Sequence, residues 1–105
     1  MPLRKTFVMS LNPGCRAEYQ RRHDELWPEM VDLLHTHGVR NYTIALLEET
    51  NQLFGYAEIE SEAQWAAIAD TEVCRRWWDH MQDIMATNPD NSPRSIELVE
   101  VFHLE

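Results

Sequence analysis

What most constrains this chain is a repeated switch between two hydrophobic periods, one of two residues and one of about 3.6. Lys5–Leu11 alternates Phe7, Met9 and Leu11 against Thr6 and Ser10, the pattern of a half-buried strand, and Asn12-Pro13-Gly14 ends it with turn chemistry. From Cys15 to His37 the period is helical, and Tyr19, His23, Leu26, Met30, Leu33 and Leu34 fall on one stripe. Pro28 interrupts that stripe. It has no amide hydrogen to donate, its ring crowds the Asp24 carbonyl, and it biases Trp27 away from helical angles. A kink or break is therefore expected just after His23, with Gly38 ending the second half. Asn41–Leu47 and Gln52–Glu60 are two further strand patterns joined by Glu48-Glu49-Thr50-Asn51, which reads as a β-hairpin. Ser61-Glu62-Ala63-Gln64 fits a capping box, with the hydroxyl on the third amide and the glutamine side chain returning to the first. It opens a short helix to Ala69, and Asp70 or Thr71 caps another through Met85. After the stiff polar loop Asn88–Pro93, Ser95–Phe102 reads as the last strand.

The order is β-α-β-β-α-β, the split βαβ arrangement of a ferredoxin-like α+β subunit. The pattern carries no linker or repeat, so residues 1–105 read as a single domain. Folding such a length buries roughly two-thirds of the unfolded chain's surface, enough for one modest core. Helices cover one face of the four-stranded sheet. The other face has no cover in the chain, yet the second strand is apolar on both sides, with Tyr42, Ile44 and Leu46 against Ala45 and Leu47. A second copy, sheet against sheet, is the simplest cover, so a homodimer is expected.

Charge narrows the partners. With 18 acidic and 9 basic residues the formal net charge is −9, which repels phosphate backbones and anionic lipid; nucleic acid and membrane are poor partners. Met1-Pro2-Leu3-Arg4-Lys5 leads straight into a strand pattern, and no apolar run approaches the ~20 residues that span a bilayer. Cys15 and Cys74 read as reduced thiols, and a cytoplasmic location is expected.

Metal binding is not expected. His35 and His37 are two apart on a helix and point to different faces, as solvated residues that complement its C-terminal dipole. No Gly-rich phosphate loop or nucleophile elbow is present in the sequence. Cys15 sits at a helix start, where a thiolate is stabilised or a small residue is buried.

Tyr19 and His23, four apart, share one helix face immediately before the Pro28 break. A histidine titrates near neutral pH and a neighbouring phenol can orient it or a substrate; the same spacing also fits a core histidine packed on an aromatic. Trp77 and Trp78 are turned about 100° apart in a helix, so one can fill the core while the other lines a concave edge. Tryptophan offers a flat apolar face and an N–H donor, a surface suited to a sugar. Trp65 reads as core, and Asp79, Asp83 and Asp90 as solvated, with one near the Asn88–Pro93 loop able to bond hydroxyls.

Several segments together resemble the L-rhamnose mutarotase family over essentially the whole chain: Glu18-Tyr19-Gln20-Arg21-Arg22-His23, Leu26-Trp27-Pro28-Glu29, His37-Gly38 followed by Asn41-Tyr42, and Val73-Cys74-Arg75-Arg76-Trp77-Trp78. Asn88–Pro93 and the ending Glu100-Val101-Phe102 complete the match. The resemblance implies a dimeric α/β barrel of ferredoxin-like subunits that interconverts the α and β anomers of L-rhamnose without a cofactor. By position, His23 matches the family's proton donor, and Tyr19, Tyr42, Trp77 and Trp78 match its sugar-binding residues. Gly14-Cys15, Asp24-Glu25 and His80 differ from the pattern beside these motifs. The chemistry agrees with the residues: opening and reclosing a pyranose needs only proton transfers between oxygens, for which one placed histidine contributes ~10²–10⁴-fold. Two other readings share the same fold and residues, a dimeric-barrel oxygenase and a non-catalytic sugar-binding module.

Overall fold

The computed structural model describes residues 2–105, so Met1 of the expected 1–105 domain lies outside the described residues. The elements are β1 (Leu3–Ser10), α1 (Arg16–Asp24), α2 (Pro28–Thr36), β2 (Arg40–Leu47), β3 (Gln52–Ile59), α3 (Glu62–Ile68), α4 (Glu72–Met81) and β4 (Ile96–Glu97). The four strands form one antiparallel sheet in the order β2-β3-β1-β4. This is the ferredoxin-like topology, with each crossover helix split in two.

The first split is the one Pro28 dictates. Helix α1 ends at Asp24, Trp27 is extended (φ −58°, ψ 134°), and Pro28 is the first residue of α2, where its missing N–H costs nothing. Gly38, at φ +79°, turns the chain out of α2, and an added Cβ there would meet the Glu60 side chain at 2.9 Å. The second split has its own cap: the Thr71 hydroxyl accepts from the Cys74 amide at 3.3 Å. At Ser61 the expected cap is half present. Its oxygen accepts from the Gln64 amide at 3.1 Å, but its hydroxyl then donates to Gln64 Oε1 at 3.2 Å, so the glutamine does not return to the first amide.

Inward residues of the sheet, among them Phe7, Met9, Leu53, Ala57 and Ile59, pack with Met30, Ile68, Trp77 and Met81 of the helices. On the opposite face, register sets Ala45, Phe54, Val8 and Ile96 side by side across all four strands, an apolar row with no helix over it. Phe54 is 37% exposed and Ile96 69%.

Two boundaries depart from the sequence pattern. Helix α4 ends at Met81 rather than Met85, because the following backbone is taken up by the end of β1: Asn12 donates to the Ile84 carbonyl, Ala86 donates to that of Ser10, and Met85 bridges Leu11. The last strand forms only at Ile96–Glu97 instead of Ser95–Phe102. Past Glu97 the ladder thins to isolated contacts with β1: the Leu98 amide donates to the Thr6 carbonyl, and Glu100 meets Arg4 by an ion pair at 2.6 Å. Val99, Val101, Phe102 and Leu104 are 79–93% exposed.

Candidate active site

Between the inner face of the sheet and the helices lies a cavity of about 1180 Å³. Phe7, Met9, Ile44 and Leu53 make its apolar floor, and all five residues singled out in the sequence, Tyr19, His23, Tyr42, Trp77 and Trp78, line it.

His23 lies in the last turn of α1. Its ring stacks on Tyr19 at 4.3 Å and meets Trp77 edge-on at 5.3 Å. Nδ1 is 3.0 Å from the Tyr19 main-chain oxygen. A carbonyl oxygen only accepts, so Nδ1 carries the hydrogen and the neutral ring keeps its lone pair on Nε2. Burial pushes the His23 pKa below the ordinary imidazole value, against the opposing pull of the Tyr19 carbonyl and the Asp24 carboxylate. The resting group at neutral pH is thus an uncharged base whose free nitrogen is Nε2. Burial, with the neighbouring Tyr42, raises the Tyr19 phenol above its usual value. Tyr42 is 38% exposed as a residue, yet desolvation of its phenol, with Cys74, raises it too, and both stay protonated and able to hydrogen-bond hydroxyls. The Cys74 thiol is pushed up to about 11 by burial, with Arg75 opposing, so it is an inert wall residue.

Tyr42 faces the cavity by alternation with Ile44 and Leu46, and a bulge in β2 just before it turns Arg40 to the other face. Arg40 pairs with Glu58 and Thr43 with Tyr56, so Asn41 and Tyr42 together oppose Ala57 alone. Asn41 takes the extra turn at φ 50°, held by Nδ2 donating to Glu58 at 2.9 Å. Without the bulge, alternation would bring Arg40 onto the inner face beside Tyr42. Gly55 then completes the placement. The Phe7 ring lies over it so closely that a Cβ would sit 2.4 Å away, and this lets Phe7 cross β3 to meet Tyr42 edge-on at 6.1 Å.

The two adjacent tryptophans divide as their helical angle requires. Trp77 is 7% exposed, edge-on to Trp27 at 5.1 Å. Trp78 is half-buried, with the Arg75 guanidinium 5.9 Å from its ring centre. Trp65, read from the sequence as core, is instead half-buried in the cavity wall, 5.9 Å from both Phe7 and Tyr42. Its helix is short and lies at the edge of the packed layer. Trp27, which no sequence expectation places in the site, braces Trp77; its position before Pro28, where the chain must be extended, is the one local signal for it. Lys5 lines the cavity too, its ammonium shared by Glu62 and Glu97 at 2.9 Å each. Asp90 stands at the rim, accepting from the Ser92 amide at 3.0 Å, and Asp79 accepts from Asn91 at 2.9 Å. Asp83 is solvated as expected, its side chain 56% exposed, and it also pairs with Arg22 at 2.8 Å. His35 and His37 do not line the cavity.

Residues 4–104 match the family model described as L-rhamnose mutarotase. An L-rhamnose mutarotase of Tolumonas auensis is 60% identical over 102 residues, covering 97% of this chain and 98% of the relative. One of Opitutus terrae is 60% identical over 103 residues, covering 98% and 99%. The crystal structure of an L-rhamnose mutarotase from Formosa agariphila superposes with a TM-score of 0.91 at 47% identity, covering 98% of this chain and 99% of that one.

Proposed function

The chain belongs to the L-rhamnose mutarotase family, and from that premise we propose how its cavity interconverts the α and β anomers of L-rhamnose. The activity is an isomerisation, and the observation that carries the mechanism is the imidazole of His23, pinned at Nδ1 and packed between Tyr19 and Trp77.

The sugar lies in the aromatic cavity, its C–H face on tryptophan and its hydroxyls toward Tyr19 and Tyr42, with C1 at Nε2 of His23. Neutral Nε2 takes the proton of the C1 hydroxyl. As the C1 carbonyl forms, the bond from C1 to the ring oxygen breaks, and Nε2–H passes that same proton to the ring oxygen. The open aldehyde turns about its C1–C2 bond and the reverse sequence closes the ring on the other face. The proton starts and ends on oxygen, the ring ends uncharged as it began, and no C–H bond breaks. Both oxygens are bonded to C1, so one nitrogen reaches both. His23 is therefore the proton donor to the ring oxygen and also the complementary base. No cofactor enters this scheme.

Saturation-transfer NMR on the anomeric protons of L-rhamnose tests the reading. Transfer between the two anomers should rise in proportion to added protein. Binding without faster exchange would leave a sugar-binding module, and oxygen uptake with a quinol substrate would point to the oxygenase reading. In deuterated water no deuterium should enter C1 or C2; deuterium at C2 would mean an enediol route and an aldose–ketose isomerase.

The functional unit in this reading is a homodimer. The apolar row Ala45–Phe54–Val8–Ile96 and the exposed tail residues Val99, Val101, Phe102 and Leu104 have no cover among the described residues, and a second copy offers the same surfaces in return. A cytoplasmic location fits the two free thiols, Cys15 and Cys74, and no helix among the described residues is long and apolar enough to cross a membrane.

A further inference from the structure

Arg22, the residue before His23, does not line the cavity, yet its guanidinium makes more bonds than its surface position requires. Its side chain is only 11% exposed. Nε donates to Glu18 Oε2 at 2.7 Å, one turn back on α1. Nη1 donates to Asp83 Oδ1 at 2.8 Å and to the His80 main-chain carbonyl at 2.5 Å, and Nη2 faces Asp83 Oδ2 at 3.3 Å. The His80 carbonyl is one of the last four of α4, which have no partner within the helix, and a cation there also meets the negative end of the helix dipole. The fork thus fastens the last turn of α1 to the last turn of α4. His23 is in the first of those turns and Trp77 lies just before the second, and their rings meet edge-on at 5.3 Å.

We propose that Arg22 is a positioning residue for the reaction: its three-way fork fixes the separation of α1 and α4, and so the aim of His23 Nε2 at the sugar held by the tryptophans. The inference rests on the reading of His23 as the proton-transfer group. Lysine cannot replace this fork, because an ammonium is a point charge without the planar set of five donors. Small displacements of an acid–base group are felt in turnover long before binding, and ~1 Å can cost ~10²-fold.

The experiment measures anomer exchange for Arg22→Lys and Arg22→Met, alone and in a His23→Ala background. Both single variants should lose at least about tenfold in kcat with KM within about threefold, while circular dichroism and the thermal midpoint stay near wild type. In the His23→Ala background, Arg22→Lys should change kcat no further, because its route of action is already gone. Wild-type kcat in Arg22→Lys overturns the proposal, as do losses that multiply in the double variant. So does a kcat loss that tracks thermal destabilisation in both single variants, which would mark a plain structural clamp. A fully active His23→Ala would overturn the reading of His23 and this inference with it. That result is distinct from an inactive His23→Ala beside an active Arg22→Lys, which overturns only the role of Arg22.

Discussion

Nδ1 of His23 sits 3.0 Å from the main-chain oxygen of Tyr19, whose own ring stacks on the imidazole at 4.3 Å. One helical turn therefore does two things for the histidine. It fixes the tautomer through the backbone, and it fixes the ring plane through the side chain. The spacing of four residues makes both possible, since it places the carbonyl and the aromatic ring on the same side of α1.

The pH dependence follows from burial. His23 is held below the ordinary imidazole pKa of about 6.5, chiefly by desolvation. Because the neutral ring starts the reaction, kcat/KM should be level through neutral pH and fall in acid with a single inflection below about 6.5. His23→Ala should lose ~10²-fold or more of exchange and show no such inflection, while His35→Ala and His37→Ala stay near wild type. Stability has the same sign. Below the unfolded pKa the unfolded chain binds a proton that folded His23 refuses, so stability falls as pH drops toward the folded pKa. Denaturant titrations from pH 7 to 5 should show that slope in wild type and a shallower one in His23→Ala. An inflection above 6.5 in the rate profile would contradict the buried neutral base.

The tryptophan pair should separate by what each touches. Trp77 is 7% exposed and braced by Trp27 and His23, so Trp77→Ala should cost ~3–5 kcal/mol of stability together with activity. Trp78 is half-buried, so Trp78→Ala should raise KM with a much smaller shift in thermal midpoint. Equal destabilisation of the two variants would mean that the pair is simply structural.

The sequence made most of this frame legible because its signals are local. Pro28 splits the first helix through its missing N–H and its ring, and it acts the same in any surroundings. Tyr19 and His23 share a face by helix geometry alone, and Thr71 caps α4 with its own hydroxyl. What stayed hidden is set by pairing between distant segments. The bulge at Asn41 and Tyr42 exists only relative to Ala57, and the early end of α4 only because Ala86 finds Ser10. Trp65 looked like core because an amphipathic pattern records which face points inward, not whether the inside is filled. The tail after Glu97 carries a strand-like pattern, of which the Leu98 amide bonded to Thr6 is the last rung on β1.

Gly55 tests how tightly the cavity wall is built. A methyl group there would fall 2.4 Å from the Phe7 ring, with no way to fit unless Phe7 moves toward Tyr42. Gly55→Ala should cost ~1–3 kcal/mol as an overpacked contact and should raise KM by displacing Tyr42. A thermal midpoint unchanged from wild type would show that Phe7 has another rotamer to occupy.

The outer face of the sheet carries the prediction about assembly. Phe54 lies mid-row between Val8 and Ala45 by register, 37% exposed, and on the face opposite the cavity. Val101 is 93% exposed in the tail. An apolar row across four strands, together with the exposed Val99, Val101, Phe102 and Leu104, is more uncovered surface than a soluble monomer ordinarily carries. It is also self-complementary, since a two-fold axis sets the row of one copy on that of another and gives each tail a partner. Light scattering at micromolar protein should therefore report twice the mass of one chain. Phe54→Glu and Val101→Glu should each shift the population toward monomer, because a carboxylate buried without a counter-charge is costly in a closed interface. Neither residue touches the cavity floor, so circular dichroism should stay that of wild type. A wild-type protein that remains monomeric at these concentrations would rule out the barrel, and a Phe54→Glu variant that remains fully dimeric would move the interface off this face.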